Sequence, residues 1–228
     1  MKLLALDTST EACSVALYQD GAVLALDEVC PQQHSKRVLP MVQQVLATAG
    51  LRLKDLDGIV FGRGPGSFTG VRIGVGVCQG LAFGADLPVF GVSTLAAMAQ
   101  AAHRLHRATS VVAAIDARMA EVYFAQYKLS SDGLMLPLGD EIARKPTELP
   151  ECLVDSAGFS VGTGFVTYAS QFKAWAQLTE CQDVLYPSAQ DMLTLAQPAW
   201  RAGNFIAAEL AEPIYVRDEV TWQKLPGR

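Results

Sequence analysis

The chain has 228 residues, half of them apolar and 18% charged, enough for one large core or two modest ones. Its 18 basic and 23 acidic residues give a net charge of −5, which opposes broad binding to phosphate backbones through clustered Lys and Arg. No uncharged apolar stretch reaches the roughly 18 residues of a membrane span. The start, Met1 to Asp7, reads as no signal peptide, and five cysteines without a Cys-x-x-Cys fit reduced thiols, so a soluble cytoplasmic protein is expected.

In chain order, Lys2–Leu6 has the length of a buried strand. Cys13–Tyr18 and Ala22–Cys30 flank Asp20-Gly21, a strong hairpin signal. From Lys36 to Ala49 the apolar residues Val38, Met41, Val42 and Val45 fall at helical spacing, with Gly50 as the C′ residue and Pro40 distorting the first turn. Gly58–Phe61 reads as a strand, Ser67–Gly84 as a helix and Pro88–Gly91 as a strand, before a helix from Ser93. The second half restarts the same pattern. Val111–Ile115 ends in Asp116 as Leu3–Leu6 ends in Asp7, 109 positions earlier. A polar turn (Thr8 to Glu11; Ala117 to Ala120) and a second strand follow each aspartate, and Asp132-Gly133 marks a second hairpin. The expectation is a duplicated α/β unit: lobe 1–105, lobe 106–228, and a joint at residues 103–109. Ser160–Gly164 reads as a strand entering a Gly162-Thr163-Gly164 turn, and Phe165–Leu178 as a helix. Ser188 and Asp191 form a capping box for a helix to about Trp200, kinked at Pro198. The tail from Pro213 to Arg228 shows no periodicity.

The segment Gly62 to Gly74, Gly-Arg-Gly-Pro-Gly-Ser-Phe-Thr-Gly-Val-Arg-Ile-Gly, follows a strand and opens a helix, where phosphate loops sit. It fails their specific tests. Val71-Arg72 stand where a Walker A loop needs Lys and Ser or Thr, Thr69 takes the place of the third dinucleotide glycine, and Ser67 is not in a Gly-x-Ser-x-Gly elbow. The helix itself carries Gly70, Gly74, Gly76, Gly80 and Gly84 within one arc of about 160°, shared with Ile73, Val77 and Leu81. Interior glycines cost roughly 0.8–1 kcal/mol each. That cost implies close approach of another backbone, either the preceding helix or a second protein.

His34 has Val38 rather than a ligand four residues on, and His103 and His106 have no Cys or carboxylate at ligand spacing, so no metal site is expected. Asp7 and Asp116 are the best catalytic-looking pair. At converging strand ends such aspartates can hold Mg²⁺ or orient water on a phosphate. Thr8-Ser9-Thr10-Glu11, however, has no glycine to let backbone approach a phosphate. The pair therefore reads either as the centre of an autonomous ATP-dependent phosphotransferase or as turn formers left in a vestigial nucleotide site.

Ala5 to Thr10, the long Gly/Pro motif at Gly62 to Gly74, Ala114-Ile115-Asp116-Ala117-Arg118 and Pro213-Ile214-Tyr215-Val216-Arg217 together closely resemble the TsaB (YeaZ) family, over essentially the whole chain. The resemblance implies an actin-like (Hsp70-like, ribonuclease H-like) ATPase fold of two related lobes. It implies a non-catalytic subunit of the machinery that places threonylcarbamoyl on the adenosine beside the tRNA anticodon. In that family the paralogue TsaD carries the metal and transfers the group, TsaC makes the adenylate donor, and the ATPase TsaE joins the complex. The implied partners are TsaD directly, TsaE within the complex, TsaC, or a second copy of the chain, with tRNA held mainly by partners. No cofactor is assigned to the chain alone, and ATP or ADP is expected only in the complex. The His-x-x-x-His pair of TsaD is incomplete here, since His34 is followed by Val38, and neither zinc ligands nor a triad supports a peptidase. The resemblance places the partner seam on the first two helices, as Val38, Met41, Val42 and Val45 with Gly70, Ile73, Gly74, Val77 and Leu81. The vestigial nucleotide site would be Asp7, Thr8, Ser9, Asp116, Gly162 and Gly164.

Overall fold

A computed structural model describes residues 1–154 and 157–217. The first sheet is built from β1 (Lys2–Asp7), β2 (Ala12–Gln19), β3 (Ala22–Val29), β4 (Gly58–Gly64) and β5 (Val89–Ser93), in the order β3-β2-β1-β4-β5. Strands β1, β2 and β3 pair antiparallel through an Asp20-Gly21 turn with φ of 49° and 98°, while β1, β4 and β5 run parallel. Pleating sends Leu4 and Leu6 of β1 to one face and Leu3 and Ala5 to the other, and both faces are covered.

Helices α1 (His34–Thr48) and α2 (Phe68–Ala85) cover the first face. The first starts two residues earlier than the spacing indicates, which moves Pro40 into its second turn. Pro40 and Lys36 are exposed, so the carbonyl that Pro40 leaves unbonded meets water. By length and composition α2 could cross a membrane. Here Val71, Val75, Cys78 and Ala82 form part of the lobe's core, and Gln79 Nε2 donates to Ala211 O at 3.0 Å, so the helix is a layer of the lobe.

After α3 (Thr94–His106) the pattern repeats. The strands β6 (Ser110–Arg118), β7 (Glu121–Leu129), β8 (Met135–Pro137), β10 (Phe159–Val161) and β11 (Thr179–Glu180) adopt the order β8-β7-β6-β10-β11; β9 (Ile142–Arg144) also pairs with β7. Position for position this matches the first sheet, including the directions of all four pairings. The internal duplication is therefore real at the level of topology. Residues 165–178 differ from the single helix expected. They form a short α4 (Thr163–Thr167) and two 3-10 turns, Ala169–Gln171 and Lys173–Trp175. Burial of Phe165, Phe172, Trp175 and Leu178 against Phe124 and Val112 determines this path. Rings at uneven spacing reach one apolar face only if the chain re-aims after each turn.

The last helix, α5 (Ala189–Arg201), continues through Pro198. Its expected capping box does not form. Ser188 Oγ lies 3.2 Å from Asp27 Oδ2, and buried Asp191 takes both guanidinium bonds of Arg104, at 2.9 Å each. That pair marks how the lobes interlock. Ala189, Met192, Leu193 and Ala196 of α5 cover the second face of the first sheet, with Leu3, Ala5 and Val60. Leu95, Met98 and Ala102 of α3 cover the second sheet, with Val111, Ala113 and Tyr127. Each sheet thus takes a helix from the other side of the 105/106 division, and α3 packs on α5 between them. Burial raises the Asp191 carboxyl and Arg104 opposes it. Removing the cation alone leaves an unpaired buried charge. Arg104→Ala is expected to lower the unfolding free energy in urea by about 3 kcal/mol, and Arg104→Met with Asp191→Leu to recover most of it.

Candidate functional site

The Gly/Pro motif is occupied by the chain's own β1–β2 turn. Gly62, Gly66, Gly70 and Gly74 recur every four residues. A methyl on Gly62 would overlap Asp7 Oδ2, on Gly66 the Ser9 carbonyl, and on Gly70 the Thr8 carbonyl; on Gly74 it would stand 2.8 Å from Thr8 Oγ1. Ser67 N donates to Ser9 O at 2.7 Å and Thr8 Oγ1 donates to Gly70 O at 2.7 Å, so the turn is hydrogen-bonded into the groove. Asp7, Thr8 and Ser9 are all buried. The backbone approach that a phosphate loop reserves for ligand is used here for protein.

The two aspartates do the same local work. Asp7 Oδ1 accepts Ser9 N at 2.9 Å, and Asp116 Oδ1 accepts Arg118 N at 2.9 Å, each two residues on. Asp116 Oδ1 also accepts the Tyr168 hydroxyl at 2.8 Å, and its Oδ2 pairs with Arg118 at 3.1 Å. Asp7 Oδ2 is buried without a partner among the described residues, and burial pushes the carboxyl up to about 6 against the Ser9 bonds. A phosphotransferase centred on both aspartates is not what the structure presents. Asp7 is sealed behind Gly62, and Asp116 has its acceptors filled by the protein.

A cleft of about 450 Å³ does separate the two turns. Ser9, Thr10, Glu11, Asp116, Arg118 and Met119 contribute to it, whereas Asp7, Gly162 and Gly164 do not. A methyl on Gly162 would overlap the Ala114 carbonyl and on Gly164 would stand 2.9 Å from it, so both serve close packing of the second lobe. Arg118 crosses the cleft to Glu11 at 3.1 Å. The β6–β7 turn that carries it holds Arg118, Met119 and Ala120 at φ of 63°, 54° and 61°, a run that L-residues adopt at about 1–2 kcal/mol each. Nothing in Ala-Arg-Met-Ala, which lacks Gly, Asn and Asp, signals that conformation.

The expected partner seam divides under the structure. Val38, Met41, Val42 and Val45 point inward, each at 3% exposure or less, because they cover β1 and β2; they are core residues and not seam. The outer side of α1 is Leu39, Gln43 and Ala47. On α2, Gly70 and Gly74 belong to the groove for Thr8, which corrects their placement in the seam. Ile73, Val77 and Leu81 are half-buried, and Gly76, Gly80 and Gly84 face open space beside Phe83, 81% exposed. One arc of five glycines therefore serves two purposes on two sides of the helix.

With this architecture, comparison with known proteins is decisive. The sequence model of TsaD, tRNA N6-adenosine threonylcarbamoyltransferase, matches residues 26–224. The tRNA threonylcarbamoyladenosine biosynthesis protein TsaB of Escherichia coli K12 is 49% identical over 230 residues, covering all of both chains. TsaB of Haemophilus influenzae is 52% identical over 235 residues, covering 100% of this chain and 98% of its own. The chain belongs to the TsaB (YeaZ) family. The solved structure of YeaZ from Pseudomonas aeruginosa superposes with a TM-score of 0.86 at 46% identity, over 94% of this chain and 99% of that one. The two-lobed actin-like fold expected from the motifs is thus shared with relatives of the same length.

Two outcomes follow for the groove. Gly70→Ala should cost about 3 kcal/mol of stability, the upper end for overpacking, through overlap with the Thr8 carbonyl. Gly76→Ala and Gly80→Ala should each gain up to about 1 kcal/mol; urea unfolding of the three variants reads the contrast. For Asp7, a folded value raised to about 6 means the folded chain holds a proton that the unfolded chain releases. Its contribution is fully present below about pH 4 and lost as the pH rises through about 6, roughly 3 kcal/mol in all. The difference in stability between wild type and Asp7→Asn should change across that window and be flat above it.

Proposed function

We propose that the chain is a non-catalytic subunit of the complex that installs threonylcarbamoyl on the adenosine beside the tRNA anticodon, and that it acts by docking on the paralogue TsaD. The relatives' names, tRNA threonylcarbamoyladenosine biosynthesis protein TsaB, support the pathway. The outer face of α2 is the observation that carries the docking role. A methyl placed on Gly76, Gly80 or Gly84 would meet nothing within 4 Å among the described residues. Exposed helical glycines cost roughly 0.8–1 kcal/mol each, and no intrachain contact offsets that cost. A second backbone approaching closely would, with Ile73, Val77, Leu81 and Phe83 supplying the apolar flank. The outer side of α1, with Leu39, lies on the same face of the sheet and extends the surface.

A second copy of the chain would use this face in the absence of TsaD, so homodimer and heterodimer exclude one another. TsaE and TsaC act within the same assembly, and a net charge of −5 leaves tRNA phosphates chiefly to the partners. Any ATP or ADP belongs to the assembly. The burial of Asp7 and the occupied acceptors of Asp116 argue against a nucleotide site of the chain's own.

Reconstitution of the modification on tRNA, with TsaC, TsaD and TsaE and with or without this chain, tests the role; product formation that ignores the chain overturns it. Gly80→Leu tests the surface, because nothing in the fold opposes a side chain there. The variant should keep or raise its unfolding midpoint and lose TsaD binding at least tenfold. Native affinity for TsaD in Gly80→Leu would defeat the assignment.

A further inference from the structure

The fold assembles one cluster that the sequence spacing hides. His106 ends α3, whereas Cys181 and Asp183 follow β11, yet one ligand atom from each lies within 4.8 Å of the other two. His106 Nε2 is 2.8 and 3.0 Å from the two Asp183 oxygens. Its ring stacks on Phe159, with centroids 6.0 Å apart. Backbone bonds hold the other two ligands. Cys181 N donates to Ser160 O at 2.9 Å, Val184 N to Cys181 O at 3.3 Å, and Gly162 N to Val184 O at 2.9 Å. A hydrogen bond accounts for the imidazole and the carboxylate. It does not account for a thiol, buried in the second lobe's core, whose sulfur lies within 4.8 Å of both.

We propose that His106 Nε2, Cys181 Sγ and the Asp183 carboxylate bind a zinc ion that clips the end of α3 to the edge of the second sheet. The donor set decides the metal: a thiolate with an imidazole suits Zn²⁺ and disfavours Mg²⁺ or Ca²⁺. At zinc–ligand lengths of about 2.0–2.3 Å, tetrahedral ligands stand roughly 3.3–3.7 Å apart, so side-chain adjustment closes the group on an ion. Three protein ligands leave the fourth position to water, which the exposure of His106 and Asp183 permits. The C-terminal end of α3 carries the negative pole of its dipole, which favours a cation there. Binding transfers the Cys181 thiol proton to solvent and changes no oxidation state. The element that gains is β11, an edge strand with two register pairs to β10. This proposal is independent of the docking surface on α2.

The test uses the full chain, stripped with a chelator and titrated with Co²⁺ as a spectroscopic stand-in, then with Zn²⁺. One Co²⁺ per chain should bind with a thiolate-to-cobalt charge-transfer band, be displaced by Zn²⁺, and Zn²⁺ should raise the unfolding midpoint. Cys181→Ser should abolish the band. His106→Asn and Asp183→Asn should each weaken Co²⁺ binding by at least about tenfold, the lower end of what even outer-shell partners contribute. No band at stoichiometric Co²⁺, or a band that survives Cys181→Ser, overturns the site; the latter would place the metal on Cys13, Cys30, Cys78 or Cys152. Should Cys181→Ser fail to fold, exposed His106→Asn decides, and an unchanged Co²⁺ affinity in that variant also overturns the proposal.

Discussion

Close contact between the β1–β2 turn and a row of glycines four residues apart is the constraint on which this molecule turns. Ser9 presents its carbonyl to position 66, Thr8 to position 70, and Asp7 a carboxylate to position 62. Any side chain at those positions would push β4 and α2 away from β1. The same contact determines where α2 starts, since Ser67 both donates to the Ser9 carbonyl and caps the helix by accepting from Gly70 N. A helix seated this deeply on a turn leaves no space for a phosphate between them. The geometry that makes a nucleotide site in a phosphate-binding fold has here become part of the core, at the expense of one unpartnered buried carboxylate oxygen.

The second lobe copies the strand order of the first but not this contact. Its glycines, Gly162 and Gly164, approach the Ala114 carbonyl on β6 rather than a turn, and its aspartate remains at the cleft, held by Arg118 and Tyr168. Several contacts then join the lobes. Helices α3 and α5 each cover the opposite sheet, the Arg104–Asp191 pair links them, and Arg118–Glu11 spans the cleft. Arg63 with Glu141 adds a further contact at 3.5 Å, where Glu141 also receives Ser93 and Tyr127. Each lobe's core therefore includes a helix contributed from the other side of the division at residues 105/106.

Much of this was legible in the residues. Short apolar runs, Asp-Gly pairs and the repeat of an aspartate at the end of a buried run pointed to the strands, the hairpins and the duplication. Helical period alone could not say which side of α1 is inside. Val38, Met41, Val42 and Val45 suit a core and a partner equally, and only the presence of β1 and β2 beneath them decides. Residues 165–178 misled because their apolar content is aromatic and their path follows ring packing rather than a period. The Ser188/Asp191 box does not form because Arg104, 87 residues away, takes both Asp191 oxygens and Ser188 Oγ turns to Asp27. Three left-handed residues in Ala-Arg-Met-Ala carry no compositional mark. The His106, Cys181 and Asp183 cluster carries none either, since its members are brought together by the ends of α3 and β11.

The glycines of α2 show why a pattern can be read correctly and assigned wrongly. On the helix surface all five lie together, and a single cause for them is the economical inference. Their costs are offset differently, however. Gly70 and Gly74 are repaid within the chain, by hydrogen bonds and packing that require the backbone of Thr8 at contact distance. Gly76, Gly80 and Gly84 have no such return, and in a solitary protein alanine would serve better at each. Three helix-weakening residues on an apolar, solvent-facing strip are what the proposed docking surface would require. Under the proposed docking the absence of side chains is itself the feature, since it would let a second helix approach closely enough to cover Ile73, Val77 and Leu81 on their open side.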